Sequence, residues 1–244
     1  ALSSYDFAVI CDNDFIGADF EMWKTLQKMK RYNEAILSYE MTLSIDEPTA
    51  FALLHIGQCH IELGNIKLAI QYFKRTLNED PLYEKAWIAL IDVYCKNKDF
   101  EKALYYAKKS IQIDNVNVAT WKRYAEINFA LGFLEEADLG FTECVNLGNY
   151  EVDTWVKWAD VLKEMHDYPR ALEVLQHGLE FHPESSVINF RLGGIYLLSS
   201  QSLEARFYLK NAYMSDAKQL NHFYETFPEF RSSSFVKQSL SLKV

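Results

Sequence analysis

Small and apolar residues return along this chain at a fixed interval. Alanine stands at Ala35, Ala69, Ala103, Ala137, Ala171 and Ala205, each 34 residues after the last. Four residues on come Tyr39, Phe73, Ala107, Phe141, Leu175 and Leu209. Seven on are the small residues Thr42, Thr76, Ser110, Cys144, Gly178 and Ala212, and eight on are Leu43, Leu77, Ile111, Val145, Leu179 and Tyr213. Spacings of four, seven and eight share one face of an α-helix, so each interval predicts a helix with one buried stripe.

A second amphipathic stretch begins about 19 residues upstream of each alanine. Its inward face reads Trp87, Leu90, Ile91 and Tyr94 in one interval, and Leu53, Ile56, Gly57 and His60 in another. Further on it reads Asn189, Leu192, Gly193 and Tyr196, with Trp121 and Tyr124, then Trp155 and Trp158, at matching places. Gly64 and Gly132 fall between the two stretches, where a tight turn is needed. Pro81 and Pro183 close two intervals, where a helix cannot continue.

These residues resemble the tetratricopeptide repeat, whose pattern runs Trp-x2-Leu-Gly-x2-Tyr, then Ala-x3-Phe, then Pro. The resemblance implies an all-α fold, an α-solenoid in which antiparallel helix pairs wind into a right-handed superhelix. The register assigns six repeats to residues 16–219, as 16–49, 50–83, 84–117, 118–151, 152–185 and 186–219. The first is the most divergent, with Asp19 where the Trp belongs.

Stepping back 34 residues from Ala35 reaches Ala1, with Tyr5, Ala8 and Val9 at the matching offsets. Residues 1–15 are therefore expected to be the second helix of a truncated repeat, and the chain a piece of a longer array. Leu2, Tyr5 and Val9 would lack a packing partner there, which implies weak self-association through that edge. At the other end Ala217, Leu220, Phe223, Tyr224 and Phe227 continue at helical spacing until Pro228, and Ser233 to Leu242 allow a short further helix. Residues 220–244 are expected to cap the array, as a solenoid end requires. This aromatic segment resembles the ends of bacterial proteins of the same repeat class.

Composition narrows the choice of partner. Glycine and proline together make only 14 of 244 residues, which favours long helices over a turn-rich β fold. The 25 basic and 34 acidic side chains give a net charge of −9, which argues against a phosphate backbone as ligand. No apolar run reaches the roughly 18 residues of a membrane span. Cys11, Cys59, Cys95 and Cys144 lack the paired spacing of a disulfide framework or a zinc site. They read as reduced thiols packed as small apolar residues, and the protein as cytoplasmic.

No motif for catalysis stands out. There is no phosphate loop, nucleophile elbow or metalloprotease helix, so neither enzyme activity nor a cofactor is expected. Asp12, Asp14 and Gly17 hint at a calcium loop, but Trp23 occupies the place of its bidentate glutamate. His55, Cys59 and His60 share a helix without further ligands in register, and are expected to be structural.

What remains is the face that the first helices of such a stack turn inward. Its stripe reads Lys85, Ile88, Asp92 and Lys96, then Lys122, Glu126 and Phe129, then Asp153, Val156, Asp160 and Lys163. It ends in apolar Val187, Phe190, Leu197 and Leu198. Mixed charge leading to an apolar end suits an extended peptide, with Val156 and Phe190 as its anchors. The chaperone-binding carboxylate clamp found in some members of the family is not expected, because Glu126, Lys157 and Val187 stand where its pattern needs other residues. The reading is a scaffold for a protein or peptide ligand. The alternatives are a self-assembly element, or an accessory interaction domain of a larger, even enzymatic, protein.

Overall fold

The computed structural model describes residues 25–26, 28–45 and 49–240. The expectations for Ala1 to Val9, Asp12, Asp14 and Trp23 lie outside these residues. Every regular element among the described residues is helical. In chain order they are α1 (Tyr32–Ile45), α2 (Ala50–Glu62), α3 (Ile66–Glu79), α4 (Glu84–Lys96) and α5 (Phe100–Ile113). Then follow α6 (Val118–Leu131), α7 (Leu134–Asn146), α8 (Val152–Glu164), α9 (Tyr168–Phe181), α10 (Ser186–Leu198) and α11 (Ser202–Ser215). Two short helices, α12 (Leu220–Thr226) and α13 (Ser234–Leu240), follow, with single 3-10 turns at Ala217–Gln219 and Pro228–Phe230.

The described residues fall into two compact units, one up to residue 115 and one from residue 116. In the N-terminal unit α2 pairs with α3 and α4 with α5. In the C-terminal unit α6 pairs with α7, α8 with α9 and α10 with α11. The recurring alanines explain the pairing. All six are fully buried, as are Tyr39, Phe73, Ala107, Phe141, Leu175 and Leu209 four residues later. The seventh position is buried too, at Thr76, Ser110, Cys144, Gly178 and Ala212, and its small side chains let the paired helices approach. The eighth position is only half-buried.

Capping fixes where the helices start. The side chains of Thr49, Asn117 and Ser185 accept from the amides of Ala52, Thr120 and Ile188 at first helices. Asp99 and Asp167 do the same for Lys102 and Arg170 at second helices. The turns between paired helices follow one rule. Residues 30, 64, 98, 132, 166 and 200, again 34 apart, all adopt the left-handed conformation. Each closes a Schellman turn, with bonds such as Asn65 N to His60 O at 2.8 Å and Asp99 N to Tyr94 O at 2.9 Å.

Only Gly64 and Gly132 adopt that conformation without side-chain strain. Lys30, Lys98, His166 and Ser200 hold φ near 60° with a Cβ present. Lys98→Gly is therefore expected to stabilise the protein by up to about 1 kcal/mol, and Gly132→Ala to destabilise it by about 1 kcal/mol. Urea unfolding of the two variants measures both, and equal stabilities would contradict the strain argument.

The core of the N-terminal unit gathers Leu26, Ala35, Ile36, Tyr39, Ala52, Ile56 and Cys59. In the C-terminal unit a larger cluster runs from Trp155 to Val236 and takes in Phe223 and Phe227 of the final segment. There α12 packs on α10 and α13 on α11. Phe227 is fully buried and seated on Gly194, where any Cβ would overlap its ring.

Candidate functional site

The first helices carry the expected stripe, but the two units use it differently. In the N-terminal unit the 34-residue register sets Lys28, Glu62 and Lys96 in one column, with Gln58 and Asp92 in the next. Between them opens a cleft of about 480 Å³ with Cys59, Ile61, Phe73, Ala89 and Val93 also in its lining. The Tyr32 hydroxyl donates to Glu62 at 3.3 Å across it. Asp92 and Lys96 thus share an open concavity with an apolar lining and charges of both signs at its margin. Lys85 is exposed and Ile88 half-buried on the same helix, outside the cleft lining.

Beside the cleft residues on α2, His55 is held by rings. It stacks on Tyr39 at 5.8 Å and meets Phe51 at 4.2 Å, with Nδ1 buried and unbonded. Burial lowers its pKa, and Lys85 lowers it further against a raising bond from Gln58. His60 packs on Tyr72. Among the described residues no group of three or more His, Cys, Asp or Glu is placed to hold a metal ion. Cys59 and Cys144 are buried thiols outside any disulfide, and burial pushes the Cys144 thiol up to about 12.

In the C-terminal unit the stripe's charges are spent on one another. Lys122 bridges Glu151 at 2.8 Å and Asp153 at 3.0 Å. Lys157 links Asp153 at 3.0 Å to Glu126 at 2.6 Å, and Glu126 also receives Arg123 at 3.2 Å. Burial pulls the Lys122 and Lys157 pKa values down, but the facing carboxylates outweigh it and the net direction is upward. The ladder is part-buried and links the first helices α6 and α8, fixing their register against each other.

One turn further along, Asp160 and Arg191 form a much drier pair. Arg191 Nη2 donates to Asp160 Oδ2 at 3.2 Å, and Nε lies 3.0 Å from Oδ1, out of hydrogen-bond alignment. Burial raises the Asp160 carboxyl, and Arg191 is the largest of the influences that pull it back. Lys163 stands 5.4 Å over the Phe227 ring and 3.1 Å from Glu164.

The two expected apolar anchors are corrected. Phe190 is 1% exposed and lies 5.5 Å from the Phe223 ring, because the final segment covers that end of the stripe. Val156 is 6% exposed within the same core. Phe129 is half-buried against Ala125, Ala137, Phe141 and Val161. Neither Phe190 nor Val156 is presented to a ligand. Trp158 also departs from expectation: it is only half-buried, and its indole N–H donates to Asp138 Oδ1 at 2.6 Å.

Sequence reading missed the partners Lys157 and Arg191. The signal was there as an acid followed 31 residues later by a base, at Glu126 and Lys157 and again at Asp160 and Arg191. That offset joins neighbouring first helices, so the bridges recur with the fold itself.

A tetratricopeptide repeat model matches residues 51–82. The TPR repeat-containing protein YpiA of Bacillus subtilis (strain 168) is 22% identical over 219 residues, covering 90% of this chain and 52% of the relative. The chain thus spans about half the length of that relative. Among solved structures, the C-terminal part of a TPR repeat-containing protein from Cytophaga hutchinsonii aligns with a TM-score of 0.76 at 12% identity, covering 99% of this chain and 93% of that one. YrrB, a TPR protein with an unusual peptide-binding site, aligns with a TM-score of 0.63 at 13% identity, over 78% of this chain and 97% of that one. The MamA protein gives a TM-score of 0.62 at 20% identity, over 71% and 94%. Among the described residues no helix is long and apolar enough to cross a membrane.

Proposed function

The chain is a tetratricopeptide-repeat protein, and on that footing we propose that it is a non-catalytic scaffold whose first helices hold an extended segment of a partner protein. The open cleft of the N-terminal unit carries this reading. It combines an apolar lining with Lys28, Glu62, Asp92 and Lys96, the mixture that fixes both the register and the direction of a bound strand of chain. The stripe of the C-terminal unit offers less, since its charges neutralise each other and Phe190 lies under the final segment. Binding therefore centres on α2 and α4. The peptide-binding site of YrrB, which shares the fold, supports the same use of it here.

Ala89 tests the proposal because its small side chain lines the cleft from α4. A bulky residue there fills the space without disturbing the buried alanine positions. With a partner recovered by pull-down, Ala89→Phe is expected to weaken binding about tenfold or more by calorimetry, the scale of losing a buried anchor. Leu68→Ala, on an exposed second-helix position, is expected to leave affinity unchanged. The opposite ranking, with helicity intact by circular dichroism, would overturn the reading.

A further inference from the structure

The second helices carry opposite charge in the two units. In the N-terminal unit α3 and α5 hold six basic side chains, Lys67, Lys74, Arg75, Lys102, Lys108 and Lys109, against Glu79 and Glu101, a net charge of +4. In the C-terminal unit α7 and α9 hold Glu135, Glu136, Asp138, Glu143, Glu173 and Glu180 against Arg170 alone, a net charge of −5. Each pair of helices forms one surface. Lys74 Nζ lies 5.6 Å from the centre of the Tyr106 ring and ties α3 to α5. Both Asp138 oxygens accept from Arg170 Nη2 at 3.0 Å and tie α7 to α9.

Helical phase turns most of this charge outward. The buried stripe of a second helix holds its alanine and the residues four and seven beyond it. Positions two before, and two, five and six after the alanine therefore point away from the core. On α3 and α5 these positions hold the exposed Lys67, Lys74, Arg75, Lys108 and Lys109, with Glu101 the one acid among them. On α7 and α9 they hold Glu135, Glu143 and Glu173, and neither lysine nor arginine. Glu135, Glu136, Glu173 and Glu180 are exposed and make no hydrogen bond or ion pair among the described residues, so their charge is not spent within the fold.

An apolar side chain stands inside each charged ring. Tyr105 is 52% exposed, with Lys109 Nζ 5.0 Å from its ring centre. Leu139 is 51% exposed and lies between Glu135 and Glu143, one turn away on either side. The two occupy the same place in the repeat, two residues after the alanine. An apolar centre within a charged rim is the anatomy of a docking face, and here the two rims are of opposite sign.

We propose that the α3–α5 face of one copy of this chain docks on the α7–α9 face of a second copy, Tyr105 meeting Leu139 inside a ring of lysine–glutamate pairs. The net charge of −9 makes copies repel as whole molecules, and the basic α3–α5 face is where that repulsion reverses. At about 0.1 M salt the screening length is about 10 Å, short enough to hide distant charge and long enough to leave facing side chains attracting. Complementary charge sets the choice and register of a partner more than its affinity, so the association is weak and salt-sensitive. It is independent of the cleft on α2 and α4, and either can fail without the other.

Sedimentation velocity of the full chain over a dilution series tests this. The sedimentation coefficient is expected to rise with protein concentration at about 0.1 M salt, and to hold its monomer value at about 1 M, where screening reaches about 3 Å. The triple variant Lys67→Glu, Lys108→Glu, Lys109→Glu makes both faces acidic, and Glu135→Lys, Glu173→Lys, Glu180→Lys makes both basic. All six side chains are exposed, so both variants are expected to fold, with circular dichroism as the check. Each alone is expected to associate at least about tenfold more weakly than the parent, because like charges then face one another. Mixed in equal amounts they are expected to recover association, since each supplies the face that the other has lost. A parent that stays monomeric at every concentration, association unchanged at about 1 M salt, or variants that stay apart when mixed while the parent associates would overturn the proposal.

Discussion

Arg191→Met is expected to destabilise the C-terminal unit by about 3–5 kcal/mol, because it strands a buried carboxylate. Asp160 depends on Arg191 for its one hydrogen-bonded ion pair, and both are largely out of water. Burial already raises the Asp160 carboxyl with the guanidinium present, and without it only the more distant Lys163 and His222 oppose that rise. The folded state of the variant then holds a proton on Asp160 more tightly than the unfolded chain does. Stability must fall as pH rises through the raised folded pKa, and the loss must shrink below the unfolded value of about 3.9. Urea denaturation of both proteins across this range tests the sign. The double variant Asp160→Leu, Arg191→Met removes both charges and is expected to recover most of the loss. A single variant as stable as the parent at neutral pH would show that the pair is not desolvated.

Phe227→Ala is expected to cost about 3–5 kcal/mol, the usual range for removing a buried ring. The side chain is fully buried and lies 5.3 Å from Phe223 and 6.3 Å from Phe230. Lys163 and Arg191 stand over it at 5.4 and 6.0 Å. Its ring lies directly against Gly194, where an added Cβ would overlap it. Because repeats contact chiefly their neighbours, the damage is expected to stay local. Hydrogen exchange should lose protection in α10 to α13 and keep it in α6 and α7. Uniform loss along the C-terminal unit would mean that its repeats unfold together.

Periodicity made much of the fold legible. Among the described residues, the alanine positions, the residues four and seven beyond them and the starts of the first helices stand where the 34-residue pattern puts them. The left-handed turns were legible only at Gly64 and Gly132. At Lys98, His166 and Ser200 the side chain does not announce the conformation, which packing and the Schellman bonds impose. The stripe was legible as a helix face, but not what meets it. Phe190 shares the register of Ile88, Lys122 and Val156, and only the arrival of Phe223 from the final segment removes it from the surface. Likewise Lys122, Glu126 and Asp153 show their charges in the sequence, whereas their mutual pairing depends on how two neighbouring first helices stagger.

The central claim is that the cleft between α2 and α4 holds a partner's segment, and methyl NMR addresses it most directly. Ile61, Ala89 and Val93 line the cleft, while Leu68 lies on an exposed second-helix position of the same unit. On titration with a bound partner segment, the methyl signals of Ile61, Ala89 and Val93 are expected to shift together and saturate with one affinity, and that of Leu68 to stay in place. Shifts confined to Leu68 and other second-helix methyls, with Ile61, Ala89 and Val93 unmoved, would contradict the account.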